Sequence, residues 1–204
     1  FWEKLYEPII RRAAGLGSLS GEVDPDHYLK GYLHCDVLVI GSGPAGLMAA
    51  LAAAKSGLDV ILTDEDFRIG GRLNAEKSII SNKPASIFGA EVMVKLAAME
   101  HVRIMPRTTV FGSFDSGCYG ALERVNEHVG NSGDFTHREI FWKIRCRRCI
   151  LAAGAIERSI AFSNNDRPGI MLAGAVRTYV NRYGVTPGKR VAIFTNNDDG
   201  WTTA

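Results

Sequence analysis

The 204-residue chain is 46% hydrophobic, 23% charged and 9% aromatic, which is enough to bury a core and unlike a disordered tail. Its 24 Lys and Arg against 22 Asp and Glu leave a formal net charge of +2, too balanced for a protein whose main partner is a nucleic-acid backbone. The longest apolar run, Leu47 to Ala54, falls well short of the roughly 20 residues that cross a bilayer, so no membrane span is expected.

The opening Phe1-Trp2-Glu3-Lys4 has no initiator Met and no charge-then-apolar leader pattern, so the numbering is expected to start inside a longer protein. Pro8 suits a first helical turn, and Ile9 to Leu16 reads as a short amphipathic helix. Ser18 to Gly31 has no hydrophobic period and reads as a linker. Cys35-Asp36-Val37-Leu38-Val39-Ile40 then has the continuous apolar character of a strand buried on both faces of a parallel sheet. Pro44 to Ser56 holds eight alanines and leucines and no β-branched residue, stops at Gly57, and leads into a second apolar strand, Asp59 to Thr63. That completes one βαβ unit.

Pro84 to Glu100 carries Ile87, Val92, Val94, Leu96 and Met99 at helical spacing, and Val102 to Met105 is a third short strand. Thr108 to Phe114, Tyr119 to His128 and Glu139 to Cys146 alternate more and enclose an Asn-Ser-Gly-Asp turn, as antiparallel strands laid over one face of the parallel sheet would. The segment from Glu139 to Ala153 reads as a strand pair, its second member starting at Cys149 and ending in small residues. Ile170 to Tyr183 has helical content, and Lys189 to Thr195 reads as the first strand of a further unit. The fold expected is α/β, a Rossmann-like parallel sheet with an inserted antiparallel segment, truncated at the start of a second dinucleotide-binding domain. Residues 1–33 form the helix and linker. Residues 34–160 form the dinucleotide-binding domain, with the insertion at about 108–147, and residues 161–204 form a connecting helix and the incomplete second domain.

Cys35, Cys118, Cys146 and Cys149 are spread through a chain large enough to rely on its core, as reduced thiols of a cytoplasmic protein would be. Cys146-Arg147-Arg148-Cys149 has the spacing of a redox pair, yet it lies in a strand and no nearby histidine completes a zinc set. The five histidines lack metal-ligand spacing. Arg138, Lys143, Arg145, Arg147 and Arg148 read as the wet face of an edge strand. No residue stands out as a general base or nucleophile, and neither a catalytic residue nor a metal ligand is assigned.

The first apolar strand runs directly into Gly41-Ser42-Gly43-Pro44-Ala45-Gly46, a G-x-G-x-x-G in the strand-to-helix position that dinucleotide binding requires. Gly41 permits the tight turn, Gly43 lets backbone amides approach a pyrophosphate, and Gly46 lets helix and strand pack closely. The phosphates would lie at the positive end of the helix dipole. Asp64 follows Gly41 by 23 positions, so Asp64 or Glu65 is placed to accept from an adenosine ribose, and a carboxylate there favours NAD or FAD over NADP. Gly70-Gly71-Arg72 could bring amides or a guanidinium to the pyrophosphate from the other side, or be a plain turn.

These motifs resemble the flavoprotein and disulfide-reductase superfamily with two dinucleotide domains. Closer resemblance lies in Asp64-Glu65-Asp66-Phe67-Arg68-Ile69-Gly70-Gly71-Arg72-Leu73, Ala152-Ala153-Gly154-Ala155-Ile156-Glu157-Arg158, Asn164 to Gly169, Phe194 to Asp198, and the opening Tyr6 to Gly17. Together these look like the alpha-subunit family of heterotetrameric sarcosine oxidases. The resemblance implies a tightly held NAD, idle in turnover, where related reductases hold FAD. Ala45, Asp64, Glu65, Arg72 and Val110 are then its contacts, Val110 through its backbone near the adenine. The candidate cofactor-binding set is thus Gly41, Gly43, Pro44, Ala45, Gly46, Asp64, Glu65, Gly71, Arg72, Val110 and Gly154. The resemblance also implies sarcosine demethylation at an FAD in the beta subunit, electron transfer to an FMN at the subunit interface, oxidation by oxygen, and a folate-binding region beyond this stretch. This chain would be an N-proximal, non-catalytic part of an oxidoreductase acting on CH–NH bonds. Two rivals stand beside it: a reductase that binds FAD in the same turn and passes electrons to a Cys pair, and an empty scaffold used for subunit assembly.

Overall fold

The computed structural model describes residues 1–15, 17, 21–129 and 136–204. The chain opens with a π-helical turn, Trp2–Tyr6, that runs into α1 (Glu7–Ala13), with Pro8 in its first turn and no buried residue in either piece. The expected helix is therefore present but shorter, and Leu16 lies outside the described residues. β1 (His27–Ile40) begins well before the predicted strand, so residues 27–31 of the predicted linker are extended. The cause is a distant partner: β1 pairs in parallel with β8 along almost its whole length, supplying hydrogen bonds that a local pattern of charged and aromatic residues does not announce.

α2 (Pro44–Lys55) follows, with Gly43 at its N-cap, Pro44 in the first turn and Gly57 in the left-handed region just past its end. β2 (Val60–Thr63) is buried throughout, as the inner strand of a parallel sheet should be. A single 3-10 turn, Gly71–Asn74, and a small antiparallel pair, β3 (Ile79–Ile80) with β4 (Lys83–Pro84), lead into α3 (Ala85–Ala97). α3 buries Ala85, Gly89, Val92 and Leu96, while Ile87 and Val94 are exposed.

Next come β5 (Val102–Met105), β6 (Thr108–Phe114), β7 (Cys118–Arg124) and β8 (His137–Leu151). The expected strand pair from Glu139 onward is one continuous strand, and the predicted Asn-Ser-Gly-Asp turn lies outside the described residues. The sheet order is β5-β2-β1-β8-β7-β6, parallel from β5 to β8 and antiparallel from there to the β6 edge. β8 is thus an interior strand and not the expected edge; Lys143, Arg145, Arg147 and Arg148 are exposed along it, while Arg138 is half-buried and paired with Asp26 and Glu127.

Two cores explain the shape. α2 and α3 cover one face, over Val37, Val39, Val60 and Leu62. Among the described residues no helix packs in the core of the other face. There Leu38, Ile61 and Met105 from the parallel strands pack with Ala121 and Ile144 from the antiparallel ones, and the Arg103 guanidinium of β5 lies 5.0 Å from the centre of the Trp142 ring of β8. Strands three places apart in order meet only if the sheet curls back on itself, so the antiparallel segment is hydrogen-bonded into the sheet and also covers its second face.

Beyond Leu151 the chain crosses to α4 (Ala173–Asn181) and the short α5 (Asp198–Trp201). Residues 189–195, expected as a strand, form none. No strand pairs with them, and Val191 and Phe194 are exposed, so the apolar pattern alone does not hold them extended.

Candidate functional site

The G-x-G-x-x-G turn lies where the carboxyl ends of three parallel strands converge. The Gly41 amide donates to the Thr63 carbonyl at 2.9 Å, and the Ala152 amide donates to the Ile40 carbonyl at 2.8 Å. Gly41 has φ +97°, and a Cβ there would come within 2.3 Å of the Ala152 carbonyl oxygen. A Cβ on Gly46 would lie 1.8 Å from the Gly41 carbonyl oxygen. These two glycines are demanded by the fold itself. Gly43 differs. It has φ −61°, and a Cβ there would meet nothing within 4 Å. Folding leaves open space at Gly43, where the start of α2 presents the positive end of its dipole beside Pro44 and Ala45, both exposed.

Asp64 lies directly after β2. Its Oδ2 accepts from the Ser42 amide at 2.6 Å and the Ser42 hydroxyl at 2.5 Å, and its Oδ1 accepts from the Asp66 amide at 2.9 Å. A carboxylate offers about four acceptor sites, so roughly one remains for a ribose hydroxyl. Ser42 is wholly buried, and its hydroxyl also accepts from the Gly70 amide at 3.1 Å. One side chain therefore ties the turn to β2 and to the Gly70-Gly71 loop. The motif names only its glycines, so Ser42 carries no signal beyond being a small polar residue between two of them.

Gly71 (φ +51°) presses on the turn from outside, since a Cβ on it would lie 2.9 Å from the Gly43 Cα. Arg72, the next residue, has its Nε on Glu76 at 2.6 Å and its Nη2 on Asp199 at 2.5 Å. Glu65 is exposed, and its carbonyl accepts from Arg124 Nη2 at 2.6 Å. Val110 is half-buried against the second core, two residues beyond Thr108, whose amide donates to the Asp64 carbonyl at 2.7 Å. Gly154 (φ +74°) is exposed two residues past Ala152. The structure thus gathers Gly41, Gly43, Pro44, Ala45, Gly46, Asp64 and Gly71 at one strand-to-helix turn, with open space at Gly43 that forms the candidate nucleotide crevice. Arg72 is nearby but engaged elsewhere, and Val110 and Gly154 flank the group.

A cavity of about 320 Å³ adjoins the crevice, bounded by Gly71, Arg72, Ala155, Glu157, Arg177 and Arg182. Glu157 Oε2 accepts from the Gly174 amide at 2.8 Å and so caps α4. Arg177 and Arg182 are almost buried: Arg182 pairs with both carboxylate oxygens of Asp66, and Arg177 Nη2 reaches Asp199 at 2.8 Å. The arginines lining this cavity are paired with Asp66, Glu76 and Asp199, and Glu157 is engaged by a backbone amide.

The Cys146 and Cys149 pair has no reactive setting. Burial is the main cause raising the Cys146 thiol above its ordinary value, and it pushes the neighbouring Cys35 up to about 12. Among the described residues no group of His, Cys, Asp and Glu could hold a metal ion, and no helix is long and apolar enough to cross a membrane.

Residues 36–113, which contain the whole turn and Asp64, match the family model of FAD dependent oxidoreductases. The chain is 51% identical over 203 residues to sarcosine oxidase subunit alpha of Rhizobium meliloti (strain 1021), covering 100% of this chain and 21% of that protein. It is 46% identical over 189 residues to sarcosine oxidase subunit alpha of Corynebacterium sp. (strain P-1), covering 92% of this chain and 20% of that one. Among solved structures, L-proline dehydrogenase from P. horikoshii superposes with a TM-score of 0.64 at 27% identity, over 83% of this chain and 32% of that one. The chain spans about a fifth of the length of the curated relatives it matches. It is a relative of the sarcosine oxidase alpha subunits along its full length, built on the Rossmann-like FAD/NAD-binding fold.

Proposed function

We propose that this chain is the nucleotide-holding part of the alpha subunit of a multi-subunit, sarcosine oxidase-like flavoenzyme, and that it holds NAD without taking part in the chemistry. The open space at Gly43 carries this reading. Packing accounts for Gly41 and Gly46, whereas the absence of a side chain at Gly43 leaves room for a pyrophosphate against the start of α2. Gly41, Gly43, Ala45 and Gly46 would cradle the diphosphate by backbone. Asp64, with Glu65 beside it, would take the adenosine ribose, with Val110 flanking the adenine and Gly154 the far side of the turn.

An NAD held here would serve structure, as the resemblance of the motifs to sarcosine oxidase alpha subunits implies. In the assembled enzyme, the flavins and the sarcosine substrate belong to other segments or partner subunits. The setting proposed is cytoplasmic, in keeping with four free cysteines. The family match favours a second reading in which the same crevice holds FAD. Both share the turn and Asp64, and they differ in what is released.

The test is to denature the purified protein, separate the released small molecules, and record their absorbance and mass. Release of NAD with no visible flavin band supports the proposal. Release of FAD replaces it with the flavin reading, and the absence of any nucleotide after loading with either leaves a scaffold.

A further inference from the structure

Arg72 occupies an unexpected position for a residue beside the nucleotide turn. It follows Gly71, which presses on Gly43, yet its guanidinium is engaged and shared between Glu76 and Asp199. Asp199 belongs to α5, 127 residues further along the chain. The same carboxylate also takes Arg177 Nη2, while Arg177 Nη1 donates to the Asp199 carbonyl and to Thr202 Oγ1. Arg177 is 7% exposed and so is a fixed anchor, whereas the Arg72 side chain is about half exposed. Two carboxylates balance the two guanidinium groups, which leaves Arg72 with little net attraction to offer while Asp199 holds it.

Resting on the dinucleotide reading above, we propose that a bound dinucleotide and α5 compete for the Arg72 guanidinium, so that filling the site breaks the direct tie between Arg72 and α5 and leaves α5 held by Arg177 of α4 alone. The magnitudes favour the exchange. An exposed ion pair such as Arg72–Asp199 contributes little and is readily exchanged. A two-pronged guanidinium–phosphate contact is among the stronger charge-assisted hydrogen bonds and fits the planar fork better than a carboxylate already shared with another arginine. Asp199 keeps a partner after the exchange, because Arg177 stays with it, so no carboxylate is left unpaired. The strong depression of the Asp199 carboxyl, to about 2, has Arg177 as its first cause and Arg72 as its second. Coupling of this kind is reciprocal: whatever frees Arg72 from α5 must tighten nucleotide binding by the same factor.

The experiment measures NAD affinity by calorimetry and backbone amide exchange of residues 200–204 by mass spectrometry, on the whole chain. Asp199→Asn should bind NAD roughly two- to five-fold more tightly than the unaltered chain, as expected for removing one exposed competing ion pair. NAD should speed amide exchange of residues 200–204 in the unaltered chain. Arg72→Gln should show fast exchange with or without NAD and weaker NAD binding, which keeps the test decisive even if Asp199→Asn disturbs α5. Unchanged NAD affinity in Asp199→Asn together with unchanged exchange on adding NAD overturns the competition and leaves the dinucleotide reading standing. Failure of the unaltered chain to bind NAD overturns the dinucleotide reading itself, and the competition with it.

Discussion

The Ser42 amide and hydroxyl both donate to one oxygen of Asp64, at 2.6 and 2.5 Å, across 22 residues of sequence. This contact fixes the spacing between the glycine turn and the end of β2. Ser42→Ala leaves the buried Gly70 amide without its acceptor and removes one donor from Asp64. The expected cost is about 1–2 kcal/mol of stability with some loss of nucleotide affinity. A urea unfolding curve that matches the unaltered chain would show that this contact carries no weight.

Valine substitutions at the glycines should separate folding from binding. Gly43→Val fits the fold, because the position has φ −61° and open space. It should therefore stay folded, at a cost of about 1 kcal/mol for putting a poor residue at the N-cap of α2. The same side chain would occupy the crevice, so binding of NAD should be abolished. Gly46→Val, with backbone 1.8 Å from the first added atom, should fail to fold stably. Circular dichroism with calorimetry reads both, and undiminished NAD affinity in folded Gly43→Val would mean that the crevice is not the nucleotide site.

Asp66 and Arg182 form a two-pronged pair joining the loop after β2 to the end of α4, with Arg182 10% exposed. Asp66→Ala strands that guanidinium, and we expect a loss of about 1–3 kcal/mol, seen as a lower urea midpoint. Asp66→Asn, which keeps an acceptor, should lose less. Equal losses would mean that the charge of Asp66, and not an acceptor alone, holds the contact.

The Asp199 carboxyl lies at about 2 against an ordinary 3.8, lowered first by Arg177 and then by Arg72. A depressed carboxyl contributes its stabilisation above the ordinary value and loses it as the pH falls through the folded one. Anchoring of α5 should therefore be complete above pH about 4 and weaken toward pH 2. Carboxyl carbon shifts followed by NMR should give Asp199 a midpoint near 2, and Arg72→Gln should move it upward. A midpoint of 3.8 in the folded chain would remove the two arginines as partners.

Cys35 and Cys146 should resist iodoacetamide at pH 8 until the chain unfolds, because burial suppresses both thiolates. Rapid labelling of either in the folded protein would restore a redox role to the pair at Cys146 and Cys149.

The βαβ unit could be read from sequence because its causes are local. A strand buried on both faces is apolar without interruption, an alanine-rich helix follows, and glycines mark where backbone must approach backbone. The early start of β1 could not be read, because its cause is β8, about 100 residues away, and nothing in Tyr28 to Lys30 signals that partner. Lys189 to Thr195 misleads in the opposite sense, with a strand-like pattern but no strand beside it. In the site, the glycines and Asp64 were legible through their spacing. Ser42 was not, since its role exists only once the turn has brought it against β2, and the engagement of Arg72 by Asp199 depends on how α5 folds back.

The long parallel register between β1 and β8 dictates an order of assembly. During synthesis β1, α2 and β2 leave the ribosome with one flank of β1 unsatisfied, and that flank stays open until Leu151 has been made. Closing so large a loop makes the step slow relative to forming the first βαβ unit. The nascent protein therefore passes through a half-built stage with a naked strand margin, and it is then that holdase chaperones have most to offer it.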